Sequence, residues 1–189
     1  MSTETQGPAR PSVEVALPQG AKLRLDGASI VAEGKLGKVA RSFPVGALAL
    51  STKGGQAVLT LLLPPRKRSR ALLLTWERHV ANLLTGVTLG FEARCKAVSA
   101  HFPMKLSSRE DTVLIENFLN EKMPRRSKLL GATKAAIEGD VVVLKGNDIE
   151  AVGQSAANLE RATRIRNYDP RVFQDGVYII VKAHPMGGE

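Results

Sequence analysis

Between Val13 and Leu63 a turn signal interrupts the chain roughly every six to ten residues. Pro18-Gln19-Gly20, Asp26-Gly27, Gly34-Lys35-Leu36-Gly37, Pro44-Val45-Gly46 and Lys53-Gly54-Gly55 separate six short runs: Val13–Leu17, Lys22–Leu25, Ile30–Glu33, Lys38–Phe43, Ala47–Leu50 and Ala57–Leu63. Short runs between closely spaced turn residues suit an antiparallel sheet and leave no room for a long helix. Pro64-Pro65 stops the last run, because proline cannot donate to a strand ladder. A helix follows the basic knot Arg66-Lys67-Arg68-Ser69-Arg70. Leu72, Leu73, Trp76, Val80, Leu83 and Leu84 recur on one face, and Gly86 is placed to end it.

From Val87 the plan repeats. Phe91–Phe102 alternates as one long strand, and Cys95 on it reads as a half-buried thiol. Thr112–Leu119, Lys128–Leu130, Ala135–Glu138 and Val141–Lys145 follow. A helix then starts at Asn147 or Asp148 and runs to about Ile165, with Val152, Ala156, Leu159 and Thr163 inward. Val31-Ala32-Glu33-Gly34 resembles Val143-Leu144-Lys145-Gly146, so the halves look like relatives. The expected fold is α+β: two tandem, duplicated domains, each a mostly antiparallel sheet packed against a helix. A disordered tail is expected over 1–11, the first domain over 12–86, the second over 87–183 and a mobile tail over 184–189.

Charge then narrows the function. The chain has a formal net charge of +9, and a basic protein of this kind favours a polyanionic partner, nucleic acid first. Residues 1–88 carry 12 Lys/Arg against 5 Asp/Glu, and 89–189 carry 15 against 13. In the second half the cations bunch at 122–128 and 161–171, which points to a basic face. Aromatic residues make up only 4%, which argues against a base-stacking single-strand binder and for phosphate and shape recognition.

Catalytic readings find little support. A lone cysteine excludes an internal disulfide and a multi-cysteine metal site. His79, His101 and His184 share no ligand spacing, and Gly153-Gln154-Ser155-Ala156-Ala157 lacks the second glycine of a nucleophile elbow. Gly34-Lys35-Leu36-Gly37-Lys38 is not a phosphate loop, because Lys38 is followed by Val39. It reads as a hairpin whose Lys35 and Lys38 touch backbone phosphate. Gly54-Gly55-Gln56 reads as a tight turn. No apolar segment approaches the roughly 20 residues of a membrane span, and the N-terminus lacks the apolar core of a signal peptide. No enzyme, no metal and no cofactor is expected.

The cationic candidates are Arg66, Lys67 and Arg68 beside the proline pair, then Arg125, Arg126 and Lys128 in Met123-Pro124-Arg125-Arg126-Ser127-Lys128. Arg164, Arg166 and Arg171 flank the turn signal Asn167-Tyr168-Asp169-Pro170, and Lys182 closes the same C-terminal run. His101, at a strand end, is placed to meet a partner. Asp175-Gly176 reads as a turn, and Asp169 is expected to orient a neighbouring arginine.

Five motifs in order give the chain a resemblance. They are Thr85-Gly86-Val87-Thr88-Leu89-Gly90-Phe91, Ala100-His101-Phe102-Pro103, Asn117-Phe118-Leu119-Asn120-Glu121-Lys122, Gly146-Asn147-Asp148-Ile149-Glu150, and Asn167-x-Asp169-x-Arg171-x-Phe173-x-Asp175-Gly176-x-Tyr178. Together they resemble the sixth large-subunit ribosomal protein family in its archaeal and eukaryotic form, over most of the chain. The resemblance implies two domains arisen by duplication, without catalysis or cofactor. It implies large-subunit rRNA as partner, near the sarcin–ricin region and the base of the lateral stalk. Neighbouring large-subunit proteins and translation factors lie nearby there, and the implied location is cytoplasmic, in the large subunit. Asn167, Arg171, Arg164 and Arg166 are the first rRNA contacts so implied. Arg161 stands where the family pattern has glutamine and adds a phosphate contact. Gln174 replaces an apolar residue, and Asn120 stands where glycine is common. The alternative is a free-standing RNA-binding or ribosome-assembly protein.

Overall fold

A computed structural model describes residues 10–169 and 171–187. The chain divides into two compact units, 1–88 and 89–189. The tail expected over 1–11 therefore falls almost wholly outside the described residues, as do Pro170 and the last two residues of the tail expected over 184–189.

In the first unit six strands precede one helix: β1 (Ser12–Ala16), β2 (Lys22–Asp26), β3 (Ser29–Gly34), β4 (Gly37–Ser42), β5 (Leu48–Lys53), β6 (Gln56–Leu61) and α1 (Lys67–Thr88). Strands β2, β3 and β4 form an antiparallel meander, and β1, β6 and β5 form a second sheet in that order. Lys53 pairs with Gln56, so Gly54-Gly55 is the whole hairpin loop. Their φ values of 58° and 80° are what a two-residue turn needs at both centres.

Helix α1 lays Leu73, Trp76, Val80, Leu83, Leu84 and Val87 onto the core built by Ile30, Ala32, Leu48, Leu59 and Leu61. Each large apolar side chain so buried contributes about 1.5–3 kcal/mol, and this stripe holds the helix. The helix is longer at both ends than its periodicity predicts. It starts at Lys67, because the Ser69 hydroxyl accepts the Arg66 N–H at 2.8 Å and donates to the Pro64 carbonyl at 2.6 Å. That closes a turn directly after the prolines, in the manner of a capping box. It runs past Gly86 because Gly86 and Val87 are both buried, so the apolar stripe continues beyond the glycine.

The second unit contains β7 (Phe91–Val98), β8 (Lys105–Arg109), β9 (Thr112–Glu116), a 3-10 turn (Phe118–Asn120), β10 (Arg125–Lys128), β11 (Lys134–Glu138), β12 (Val141–Gly146), α2 (Ile149–Ala162) and β13 (Gly176–Pro185). Its sheets have the orders β10-β9-β8 and β11-β12-β7-β13. The plan of the first unit returns strand by strand. Strand β7 takes the place of β1, the meander β8–β10 that of β2–β4, the hairpin β11–β12 that of β5–β6, and α2 that of α1. Strand β13 is the addition, paired along the edge of β7. By this correspondence β12 matches β6 and not β3, so the likeness between residues 31–34 and 143–146 is local and does not set the register of the duplication.

Other differences have local causes. The strand expected to reach Phe102 ends at Val98, where the backbone turns toward Asp175. The strand expected to reach Leu119 ends at Glu116, because Asn117, Leu119 and Asn120 have φ of 58°, 48° and 61°. Strand β8, with polar Ser107 and Ser108, has too little apolar alternation to announce itself. Strand β10 covers 125–128, three residues earlier than expected, and puts the second basic run in a sheet. Helix α2 stops at Ala162, where Thr163 caps it. Strand β13 reaches Pro185, so the expected mobile tail begins inside the sheet, and the Met186 N–H still meets the Gly90 carbonyl at 2.9 Å. Proline is tolerated there because β13 is an edge strand. Cys95 is fully buried on a central strand, and burial, with the Glu160 charge second, pushes its thiol up to about 11.

Candidate nucleic-acid interface

The segment between α2 and β13 carries Arg164, Arg166 and Arg171, all exposed, and its backbone is tied down at both ends. At the helix exit the buried Thr163 hydroxyl accepts the Val177 N–H at 2.9 Å and donates to the Glu160 carbonyl at 3.1 Å. Arg125 reaches in from β10. Its Nη1 donates to the carbonyls of Ala162 at 2.9 Å and Arg164 at 3.1 Å. The first is a carbonyl that a helix end leaves without an intrahelical partner, and the second lies two residues past α2. Its Nε and Nη2 grip both oxygens of Glu121 at 2.8 Å and 2.6 Å, and its guanidinium lies 4.2 Å from the centroid of Phe118. The hydrogen bonds from Arg125 hold the Glu121 carboxyl below the usual range, against a smaller opposing effect of burial.

At the other end Asp175 is buried, 1% exposed. Its Oδ1 accepts the N–H groups of Ala100 and of His101, the latter at 3.0 Å, and its Oδ2 lies 2.9 Å from His101 Nδ1. Burial alone pushes this carboxyl up, but the backbone and side-chain hydrogen bonds from His101 and Ala100 outweigh it and leave it lowered. The Phe173 ring packs 4.8 Å from both His101 and Tyr168. Between the two anchors Asn167 turns the chain with φ 64°, a conformation asparagine tolerates. Asp169 Oδ1 accepts the Arg171 backbone N–H at 2.9 Å, so it fixes the backbone of an arginine rather than its guanidinium.

The structure sorts the sequence candidates into two groups. Arg161, Arg164, Arg166, Arg171 and Lys182 are exposed, and among the described residues none makes an ion pair. The same is true of Arg126 and Lys128 on β10, and of Lys35, Arg66, Lys67 and Arg68 in the first unit. Lys35 stands in a two-residue hairpin loop, since Gly34 pairs with Gly37. Lys67 and Arg68 lie inside the first turn of α1, not in a loop, and that turn contains no acid. The positive end of the helix dipole and these cations repel one another, an arrangement that an external anion relieves.

Three candidates already have partners within the chain. Arg125 directs its Nε and both Nη atoms to the helix exit and Glu121, so it is a clamp for the interface. Lys38 lies 3.5 Å from Glu33, which also holds Arg24 at 2.9 Å. His101 is locked on Asp175. Sequence reading missed the Arg125 and Asp175 anchors, because each joins segments far apart in the chain. The available signal lay in the motifs themselves. Asp175 ties Ala100-His101 to the C-terminal motif, and Asn117 Nδ2 donates to the Pro103 carbonyl at 3.0 Å.

Duplicated α+β units that present exposed cations on a pinned segment offer a basic surface as the candidate site. The family model described as Ribosomal protein L6 matches residues 102–176. A Methanobrevibacter smithii protein named large ribosomal subunit protein uL6 is 40% identical over 169 residues, 89% of this chain and 94% of that one. A Methanocella arvoryzae protein of the same name is 40% identical over 171 residues, 90% and 96% of the two chains. The chain belongs to the ribosomal protein L6 family, uL6, and with it to the structural proteins of the ribosome rather than to enzymes.

Proposed function

We propose that this chain is a structural constituent of the large ribosomal subunit that holds large-subunit rRNA chiefly through Arg161, Arg164, Arg166 and Arg171. Arg126, Lys128 and Lys182 extend this contact in the second unit, and Lys35, Arg66, Lys67 and Arg68 supply it in the first. The observation that carries the reading is the division of labour around α2. Arg125 and Asp175 are spent on fixing the two ends of the segment between α2 and β13, and the arginines on it are left exposed without internal counter-charge. Cations on a fixed backbone read phosphate positions and RNA shape rather than groove sequence. On this reading the contact lies near the sarcin–ricin region and the base of the lateral stalk, as the family resemblance implies. There the neighbours are other large-subunit proteins and docking translation factors. The place of work is the cytoplasm, on the large subunit.

The test replaces Arg166 and Arg171 together by Glu and compares the variant with Lys22→Glu/Arg24→Glu. In stringent salt the first variant leaves the large subunit and the second stays. Every phosphate deprived of its cation lowers the slope of log affinity against log salt by about 0.7–0.9. Equal weakening of the two variants overturns the contact assignment. Sedimentation of the native protein in the soluble pool favours the free-standing RNA-binding reading.

A further inference from the structure

An open recess of about 570 Å³ lies at the exit of α2, lined by Arg161, Arg164, Ile165, Phe173, Val177 and Tyr178. Its size falls in the range of small-ligand sites, and apolar walls with a few placed polar groups are their usual chemistry. Tyr178 gives it a fixed wall. The hydroxyl donates to the Gln174 carbonyl at 3.0 Å, and the ring lies over Gly176, where a Cβ would approach it to 3.3 Å. The ring is thus oriented before any ligand arrives, and 42% of the residue remains exposed. Both tyrosines of the chain are exposed on this segment, Tyr168 at 51%, while Phe43, Trp76, Phe91 and Phe118 are buried in the cores. A low aromatic content overall thus coexists with ring surface concentrated beside the cations. Glu160 lines the same recess. A cradle for phosphate alone has no use for a carboxylate, whereas a base carrying N–H donors does.

We propose that this recess receives one unstacked nucleotide of the bound RNA, its base against the Tyr178 ring, its phosphate met by Arg161 and Arg164, and a base N–H accepted by Glu160. The inference rests on the RNA-binding reading above and adds a nucleotide subsite to it. Splayed bases stacked on aromatic side chains are a common way for proteins to recognise RNA loops and bulges.

The test measures binding of the full chain to a transcript of large-subunit rRNA. Tyr178→Leu keeps apolar bulk but removes the stacking face and weakens binding about tenfold. Tyr178→Trp restores a face and recovers most of the affinity. Ala157→Trp fills the recess from the helix side without deleting a contact, and weakens binding to a similar degree. Ultraviolet crosslinking of assembled subunits attaches a nucleotide to the peptide containing Tyr178. If Tyr178→Leu fails to fold, Ala157→Trp and the crosslink decide. Native affinity of Ala157→Trp with no crosslink at Tyr178, while the Arg166/Arg171 variant fails to bind, overturns the subsite and leaves RNA binding standing. Native affinity of the arginine variant as well overturns both.

Discussion

Helix α1 opens with Arg66, Lys67, Arg68 and Arg70 and has no acid in its first turn, whereas α2 opens with Asp148 capping the Glu150 N–H at 3.0 Å and keeps Arg161 for its last turn. The second helix follows the dipole and the first works against it. Helix α1 tolerates the conflict because eight buried residues fasten it to the first core. The same plan thus holds charge in two ways. In the first unit cations ride directly on a helix start and a hairpin. In the second they ride on an irregular segment, and buried polar groups replace apolar packing as the fastening.

Removing one fastening from each unit gives the sharpest contrast. Arg125→Ala removes the bonds to Glu121 and to the Ala162 and Arg164 carbonyls, and should destabilise the second unit by about 2 kcal/mol. Arg68→Ala should change the first unit by no more than about 0.5 kcal/mol. Urea denaturation read by hydrogen exchange in each unit separates the two, and comparable destabilisation would dissolve the distinction.

Two glycines make a closer comparison, since each lies under the helix of its own unit. A Cβ at Gly34 meets the Val87 carbonyl oxygen at 2.6 Å, and one at Gly146 meets Val152 Cγ2 at 2.8 Å. Both replacements by alanine should destabilise by about 1–3 kcal/mol, Gly34→Ala more, because backbone yields less than a methyl group. The order of the two denaturation midpoints checks this.

Asp175 gives the most specific effect, because it is read in pH dependence. Its carboxyl is lowered in the folded state, so its contribution is present above the unfolded value of 3.8 and is lost as pH falls through the depressed folded value. Asp175→Asn should therefore lose less stability than the native chain as pH falls below the unfolded value. Urea midpoints on either side of that value measure it, and parallel curves would deny the carboxylate its role.

What the sequence made legible follows from the range of each signal. The six strands of the first unit were readable because their turns are local, and Gly54-Gly55 needs no distant partner to bend. The apolar stripes of both helices were readable for the same reason. Asp175 looked like half of an Asp-Gly turn, and its burial depends on residues 74 and 75 positions away. Arg125 looked like one more surface cation, because nothing near it announces the carbonyls 37 and 39 residues on. Strand β8 was missed because its alternation is polar, and the start of α1 because the basic knot hid a serine cap. Among the interface candidates, sequence found the cations but not which of them were already occupied.

Strand β13 has a consequence for synthesis. The first unit closes with α1 at Thr88, while the second completes its sheet only when residues 176–185 reach β7, which starts at Phe91. At typical elongation speeds the interval between the two events is roughly 5–20 s. During it the first unit can finish on its own, and β7 waits with one edge bare. A nascent chain arrested before Gly176 would therefore expose that edge, a vulnerable point at which a chaperone would have most effect.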